Sequence, residues 1–469
     1  MPITKNVRLN EQGDGESDVL FSNKTESKTK LDSEASLPLA TNADAFSATP
    51  SPRDSAPKTP KENFERKLNF IDLFAGCGGL SEGFYKEGFN ALTHVEIDPK
   101  ACQSLRTRMK HYGYRNYEND VLNIDITQDD VIQKIDEIIA GKTVHLIIGG
   151  PPCQAYSTAG RARDPNGMKN DPRNFLFESY VKILNHYKPY FFVFENVTGI
   201  LSAKVNDEKI IDKVFAALSE NYKVKFDPNL NILNSCNYGV PQIRRRVIIM
   251  GVRKDLPFTP EEMYSAVVKT HYDPEIPENE RKNLKKYVTV KDAIFELPFL
   301  KEGEGEKVIN FKSKRDNDFL KSIVSKDFDK LYDHICRHHN PTDVQRYTEM
   351  AKNYWTFQEL LEKRPDLRHT PPRVFGNSYV VQFWDFPSRT IIAHLYKDGN
   401  QFIHPDYKQG RTLTVREAAR LQSFPDDFVF EGSRTDKFKQ IGNAVPPLLA
   451  QAIAKGIKTK FNELAGVKR

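Results

Sequence analysis

Cysteine is scarce in this chain. There are five in 469 residues (Cys77, Cys102, Cys153, Cys236 and Cys336), and no two form a CxxC pair. An odd, scattered set argues against a disulfide framework or a zinc ribbon and points to a reducing compartment. No apolar run approaches the roughly 20 residues that a membrane span needs. The opening MPITKNVRLNEQ lacks the apolar core of a secretory signal. The chain therefore reads as cytoplasmic, with no membrane partner. His334, Cys336, His338 and His339 stand close together, but their spacing matches no zinc pattern, so no metal is expected. No internal repeat is present.

Positive charge is in modest excess, with 69 Lys and Arg against 63 Asp and Glu. The first 66 residues hold 9 basic and 11 acidic side chains, which leaves 60 basic against 52 acidic in the remainder. A surplus of that sign suits a polyanionic partner, because Lys and Arg on phosphates release counterions. Residues 1–66 are rich in Ser, Thr, Asp, Lys and Pro without a hydrophobic period, and are expected to be a disordered tail. The length and the 39% hydrophobic content suit two packed units beyond it.

From Leu68 onward, apolar runs alternate with helical spacing. LNFIDLF (68–74), FNALTHVEI (89–97), TVHLIIGG (143–150) and YFFVFENV (190–197) read as buried parallel strands. Pro99 to Met109 and FLFESYVKILNHY (175–187) have helical spacing, and RRRVIIMGV (244–252) supplies a late strand. The pattern predicts an α/β doubly wound sheet with helices on both faces. Residues 254–410 are charged, aromatic and irregular, which marks a second, smaller domain. Helical patterning returns at 411–428 and in a closing amphipathic helix at 438–457. Phe383, Trp384 and the aromatics of 347–357 are expected to pack the small domain's core.

Asp72-Leu73-Phe74-Ala75-Gly76-Cys77-Gly78-Gly79 follows the first strand, and its glycines allow close approach to a ligand. Glu96 ends the next strand, where an acid typically accepts hydrogen bonds from ribose hydroxyls. Asp125 is placed to reach an adenine amine. These residues predict an adenosine-containing cofactor, NAD or S-adenosylmethionine. Asp72 would repel a pyrophosphate and suit a methionyl amino group. Gly149-Gly150-Pro151-Pro152-Cys153-Gln154 leaves a central strand at its carboxyl end, where open α/β sheets place ligands. Glu195 ends the neighbouring strand. A thiol and a carboxyl at one cleft suggest covalent attack with acid assistance.

At these residues the chain resembles the DNA cytosine-5 methyltransferases of prokaryotic type. The matching blocks run in order: DLFAGCGGLSEGF (72–84), VEID (95–98), DIT (125–127), GGPPCQAYS (149–157), ENV (195–197), NYGVPQIRRRVIIMGVR (237–253), RTLTVREAARLQSFPDDF (411–428) and QIGNAVPPLLAQAIA (440–454). They span residues 68–457. The resemblance implies transfer of a methyl group from S-adenosylmethionine to carbon 5 of a cytosine flipped out of double-stranded DNA. Cys153 would attack carbon 6, Glu195 would protonate N3, Arg246 would hold O2, and Arg244 would support the same site. Phe74, Gly76, Gly78, Glu96, Asp125, Ile126, Pro152, Asn443 and Val445 fall on cofactor-contact positions.

Residues 158–172 would form a lid over the DNA. The catalytic domain would run over 67–265 and be completed by 436–469, with target recognition in 266–435. The resemblance further implies the modification enzyme of a restriction–modification system, monomeric, at the nucleoid, with a companion restriction endonuclease. An RNA cytosine methyltransferase, a non-catalytic DNA-binding homologue and an NAD oxidoreductase are the competing readings. The 150 or so irregular residues before 411 favour duplex DNA over RNA, because groove readout needs a dedicated element.

Overall fold

The computed structural model describes residues 67–152, 176–205, 208–368 and 379–466. The tail 1–66, Cys153 and the 158–172 segment lie outside the described residues.

Five apolar segments form parallel strands: β1 Asn69–Leu73, β2 Asn90–Glu96, β3 Val121–Asn123, β4 Leu146–Gly149 and β5 Phe191–Val197. Parallel neighbours need crossovers. These are supplied by α1 Gly79–Lys86, α2 Pro99–His111, α3 Val131–Ile139 and α4 Leu176–Tyr187. After α5 Ile210–Leu218 come β6 Tyr222–Lys223, β7 Ile232–Asn234 and β8 Arg245–Arg253. The eight strands run in the order β3-β2-β1-β4-β5-β8-β6, with β7 also paired to β8. Strand β8 is antiparallel to β5, β6 and β7, so the sheet is mixed.

Alternation along β1 puts Phe70 on one face, with Phe84, Leu105 and Leu449, and Ile71 on the other, with Ile135, Ile183 and Val214. Both faces are covered, which is why these strands read as continuous apolar runs rather than alternating ones. Helix α2 begins cleanly because Pro99 sits in its first turn and the Asp98 carboxylate accepts from the N–H groups of Lys100 and Ala101.

Four elements differ from the sequence expectation. Periodicity did not reveal β3 and α3, although α3 buries Val131 and Ile135 at i, i+4. In the 411–428 block only α8 Val415–Leu421 is helical (α6 Pro341–Asn353 and α7 Phe357–Lys363 precede it). The expected closing helix is two helices, α9 Arg434–Asn443 and α10 Pro447–Leu464. Pro446 and Pro447 cause the break, since proline disfavours a helical residue before it and cannot donate within a helix.

Residues 266–435 carry short elements around two further clusters. One gathers Ile294, Leu331, Leu413, Phe424 and Phe438, and takes in Cys77 of the β1–α1 turn. The other joins Tyr347 and Met350 of α6 to Phe357 and Leu360 of α7. Three arginines of the 411–428 block are fully buried. Arg411 pairs with Glu417, Arg420 pairs with Asp426, and Arg416 donates to the carbonyls of Tyr332, Pro425 and Phe428.

Candidate active site

The carboxyl ends of β1, β2, β3, β4 and β5 build one margin of the sheet, and the block residues converge there. Phe74 and Gly76 leave β1 with φ of 58° and 56°. Glycine accepts that conformation without strain, and nothing lies within 4 Å of where a Gly76 Cβ would be. The Glu96 carboxylate accepts the N–H of Gly76 and the N–H of Asp98, both at 2.8 Å, which ties the glycine turn to the end of β2. Burial pushes this carboxyl above its ordinary pKa. The Asn123 side chain donates to the carbonyls of Glu96 and Ile97, so β3 delivers Asp125 next to Glu96. One Asp125 oxygen accepts the N–H and hydroxyl of Thr127 at 2.9 and 2.8 Å, and Ile126 is buried behind it.

From the other end of the chain, the break between α9 and α10 returns to the same margin. A Cβ on Gly79 would fall 2.6 Å from the Val445 carbonyl. Val445 is therefore buried against the start of α1, with Asn443 exposed two residues earlier. Ile97 was not singled out by sequence reasoning. It is 63% exposed directly beyond Glu96. An apolar residue following the acid at a strand end was the available signal.

Asp72 is corrected by the structure. It is 1% exposed and enclosed under α1, where the Ser81 hydroxyl donates to it at 2.5 Å. It is therefore not presented to a cofactor.

Gly149 pairs with Phe194, which sets Gly150 opposite Glu195. A Cβ on Gly150 would collide with the Glu195 carboxyl at 2.7 Å, so only glycine leaves the carboxyl its place. The Asn196 amide donates to the Pro151 carbonyl at 3.1 Å and holds the start of the loop, where Pro152 is half-buried. Antiparallel pairing sets Arg246 beside Val197, and its Nε lies 3.2 Å from the Glu195 carboxylate. Burial pushes Glu195 above the ordinary carboxyl pKa. Arg246, and behind it Arg244, oppose this without cancelling it.

The three consecutive arginines part company. Arg246 faces Glu195, while Arg245 pairs with Glu275 at 2.5 Å. Arg244 is buried and donates to the carbonyls of Ile391, Gly442 and Ala444 at 2.7, 3.0 and 3.0 Å. Arg244 thus anchors the margin to the segment carrying Asn443 through its two terminal nitrogens, while its buried Nε has no hydrogen-bond partner among the described residues.

The histidine group is dispersed. His334 lies between Thr414 and Pro298, His338 on Glu302, and His339 beside Thr412. Among the described residues no cluster of three or more His, Cys, Asp or Glu could hold a metal ion, and no helix is long and apolar enough to cross a membrane.

Comparison with known proteins gives a consistent result. The pattern of the family described as C-5 cytosine-specific DNA methylase matches residues 68–459. Type II methyltransferase M.Bpa9945I of Bacillus paralicheniformis is 33% identical over 464 residues, covering 84% of this chain and 99% of its own. Type II methyltransferase M.DdeI of Desulfomicrobium norvegicum is 34% identical over 411 residues, covering 85% and 90%. A crystal structure of a prophage-encoded E. coli protein assigned as a DNA modification methyltransferase superposes with a TM-score of 0.60. It is 25% identical and covers 84% of this chain and 100% of that one.

Proposed function

This chain belongs to the C-5 cytosine-specific DNA methylases and is a DNA (cytosine-5)-methyltransferase. From that premise we propose that it is the modification enzyme of a type II restriction–modification system, methylating one short sequence of double-stranded DNA as a monomer. A companion restriction endonuclease would cut the same sequence when it is unmodified. The observation that carries the reading is the largely enclosed Glu195–Arg246 pair against Gly150, one residue from the proline loop that leads to Cys153.

The donor set at the strand ends fits S-adenosylmethionine. When bound, that molecule supplies an electrophilic methyl group. Glu96 would accept from the ribose hydroxyls, and Asp125 would meet the adenine amine. Ile126 and exposed Ile97 would cover the adenine faces. Phe74, Gly76 and Gly78 would line the turn, with Asn443, Val445 and Pro152 closing the methionyl end.

The target base must leave the duplex before side chains can reach its ring. The Cys153 thiolate then adds to C6, and the electron pair displaced from the 5,6 bond makes C5 nucleophilic. Glu195 delivers a proton to N3 as this happens, which neutralises the charge the addition pushes into the ring. Arg246 donates to O2 and holds the carboxyl in line. Once C5 carries the methyl group, loss of the C5 proton to a base, departure of the Cys153 thiolate and return of the N3 proton to Glu195 restore the neutral aromatic ring. Burial suits Glu195 to this step because it favours the protonated carboxyl before the base arrives.

In this reading residues 67–265, completed by 436–469, perform the chemistry, and 266–435 choose the sequence. Tritiated methyl transfer to duplex DNA, compared with transfer RNA, tests the substrate. Duplex containing 5-fluorocytosine should trap the wild type covalently, because fluorine does not leave as a proton does. Trapping by Cys153→Ala would remove the thiol from the mechanism. Exchanging residues 266–410 with those of a relative should move the methylated sequence, whereas deleting 1–66 should not. An exchange that keeps the original site would refute the division.

A further inference from the structure

The loop Phe383-Trp384-Asp385-Phe386 turns two of its three rings outward. Trp384 is half-buried and packs on the core of the 266–435 segment, as the sequence suggests, but Phe383 is 38% exposed and Phe386 42%. The loop is not free to fold its rings away. The N–H of Lys291 donates to the Trp384 carbonyl at 3.0 Å, and that of Val290 to the Phe386 carbonyl at 2.9 Å.

Each outward ring is stacked nearly parallel on another. Phe383 lies on Tyr354 with centroids 5.7 Å apart and planes at 17°, and Phe386 on Tyr287 at 6.2 Å and 16°. Tyr354 is itself 56% exposed. The Lys286 ammonium stands 5.1 Å from the Tyr287 ring. Two residues past Phe386, Ser388 forms a parallel bridge with Gln242, and its carbonyl accepts the N–H of Ile243 at 2.9 Å. The rings therefore sit beside the entry to β8, the strand that carries Arg246.

We propose that the stacked pairs Tyr354–Phe383 and Tyr287–Phe386 form the base-contacting, sequence-selecting edge of this enzyme on duplex DNA, with Lys286 on a flanking phosphate. The proposal rests on the functional reading above. Single exposed rings need no explanation, but two ordered stacks on one pinned loop make a patch of the kind that marks an interaction site. Its continuity with the Arg246 strand and the cation at its rim favour the nucleic acid over a protein partner. A rigid aromatic edge discriminates by contact with a thymine methyl group, or by stacking on a base whose neighbour has been extruded. The lysine adds a sequence-independent phosphate contact.

The test uses the full chain as wild type, Phe383→Ala, Tyr354→Ala, Phe386→Ala and Lys286→Gln. Each is incubated with duplexes randomised around a cytosine, which are then read by bisulfite sequencing. At least one ring variant should lose about 5- to 100-fold of discrimination at a base position. Lys286→Gln should weaken binding alike on every sequence and lower the slope of log affinity against log salt by about 1. Melting curves accompany each variant. Tyr354 is the most exposed ring, so Tyr354→Ala is the variant expected to keep the fold even if Phe383→Ala does not. An unchanged sequence profile in the ring variants, or a uniform loss without a changed profile, overturns the proposal. A wild type that leaves every DNA cytosine unmodified overturns the functional reading instead.

Discussion

Two carboxylate–arginine pairs in this protein, Glu417–Arg411 fully buried and Glu195–Arg246 largely enclosed, are built from the same residue types and have opposite electrostatics. Burial pushes Glu417 upward. Arg411, through charge and two hydrogen bonds at 2.7 and 2.8 Å, outweighs burial and holds the carboxyl far below its ordinary pKa. The Thr414 N–H adds a further bond at 2.7 Å, and His404 stands 3.4 Å away. Burial also pushes Glu195 upward, but here it prevails, because Arg246 reaches it with its Nε at 3.2 Å and Arg244 spends its terminal nitrogens on backbone carbonyls. What separates a structural pair from a reactive one is how fully the carboxylate's lone pairs are satisfied. Glu417 has a full set of donors and is locked as an anion. Among the described residues Glu195 meets only Arg246 at ion-pair distance, and in the proposed mechanism the proton that burial favours on it would pass to an incoming ring nitrogen.

The comparison can be broken at either end. Glu417→Gln leaves Arg411 as an uncompensated buried cation, and removing one partner of such a pair costs about 3–5 kcal/mol. Urea unfolding at pH 7 should show that loss, and Arg411→Met with Glu417→Leu should recover most of it. Because the folded pKa of Glu417 lies below its unfolded value of 4.5, its contribution is complete above pH 4.5. It is lost as pH falls toward the folded value. A deficit that persists unchanged in acid would contradict the saturated pair.

Glu195→Gln is predicted to be smaller and of another kind. Turnover should fall by about a hundredfold or more, the range for a lost general acid, while DNA affinity holds. Its stability effect has the reverse sign, since a folded pKa above 4.5 makes the wild type lose stability as pH rises through that window. The variant should therefore unfold no earlier than wild type at pH 7. Single-turnover rates and urea curves on the same preparations separate the two residues, and an unchanged rate in Glu195→Gln would remove it from proton transfer.

Much of the strand-end margin was legible because parallel strands write themselves as apolar runs and end on short polar signals. Glu96, Gly150 and Glu195 were all found that way. The pairing of Arg246 with Glu195 was accessible only through the resemblance, because an antiparallel β8 returning beside β5 is a fact of topology. The saturated pair was hidden for a different reason. RTLTVREAARLQSFPDDF has the composition of a charged surface helix, and nothing local says that Arg411, Arg416 and Arg420 are fully enclosed. The expectation that the aromatics of 347–357 and 383–384 pack the core holds for Tyr347, Phe357 and Trp384 and fails for Tyr354 and Phe383, which face out. Aromatic composition in an irregular segment does not say which rings turn inward. The break at Pro446 was written in the sequence, since two prolines in succession end a helix.

A third buried carboxyl, Asp72, marks the far end of the comparison, because no cation pairs with it among the described residues. Ser81 donates to it, and Ser81 lies 3.2 Å from His94 Nε2, which is 2.9 Å from the Tyr85 hydroxyl. Burial pushes Asp72 up to about 8 and His94 down to about 3. At neutral pH this Ser, His and Asp group is therefore uncharged, a packing cluster beneath α1 and not a relay. The folded pKa of Asp72 lies above its unfolded value of 3.8, so the fold loses stability as pH climbs from 3.8 to about 8. His94 acts in the opposite direction, but only below its unfolded value of 6.5. Between pH 6.5 and 7.5 the Asp72 contribution stands clear of it, and should amount to on the order of 1 kcal/mol per pH unit. Asp72→Asn keeps the acceptor for Ser81 and cannot ionise. Across that window the wild type should lose stability relative to the variant, with the methylation rate at pH 6.5 unaffected because Asp72 faces no substrate. Urea curves with parallel pH dependence in the two proteins would show that Asp72 is ionised in the fold, and that an unlocated cation partners it as Arg411 partners Glu417.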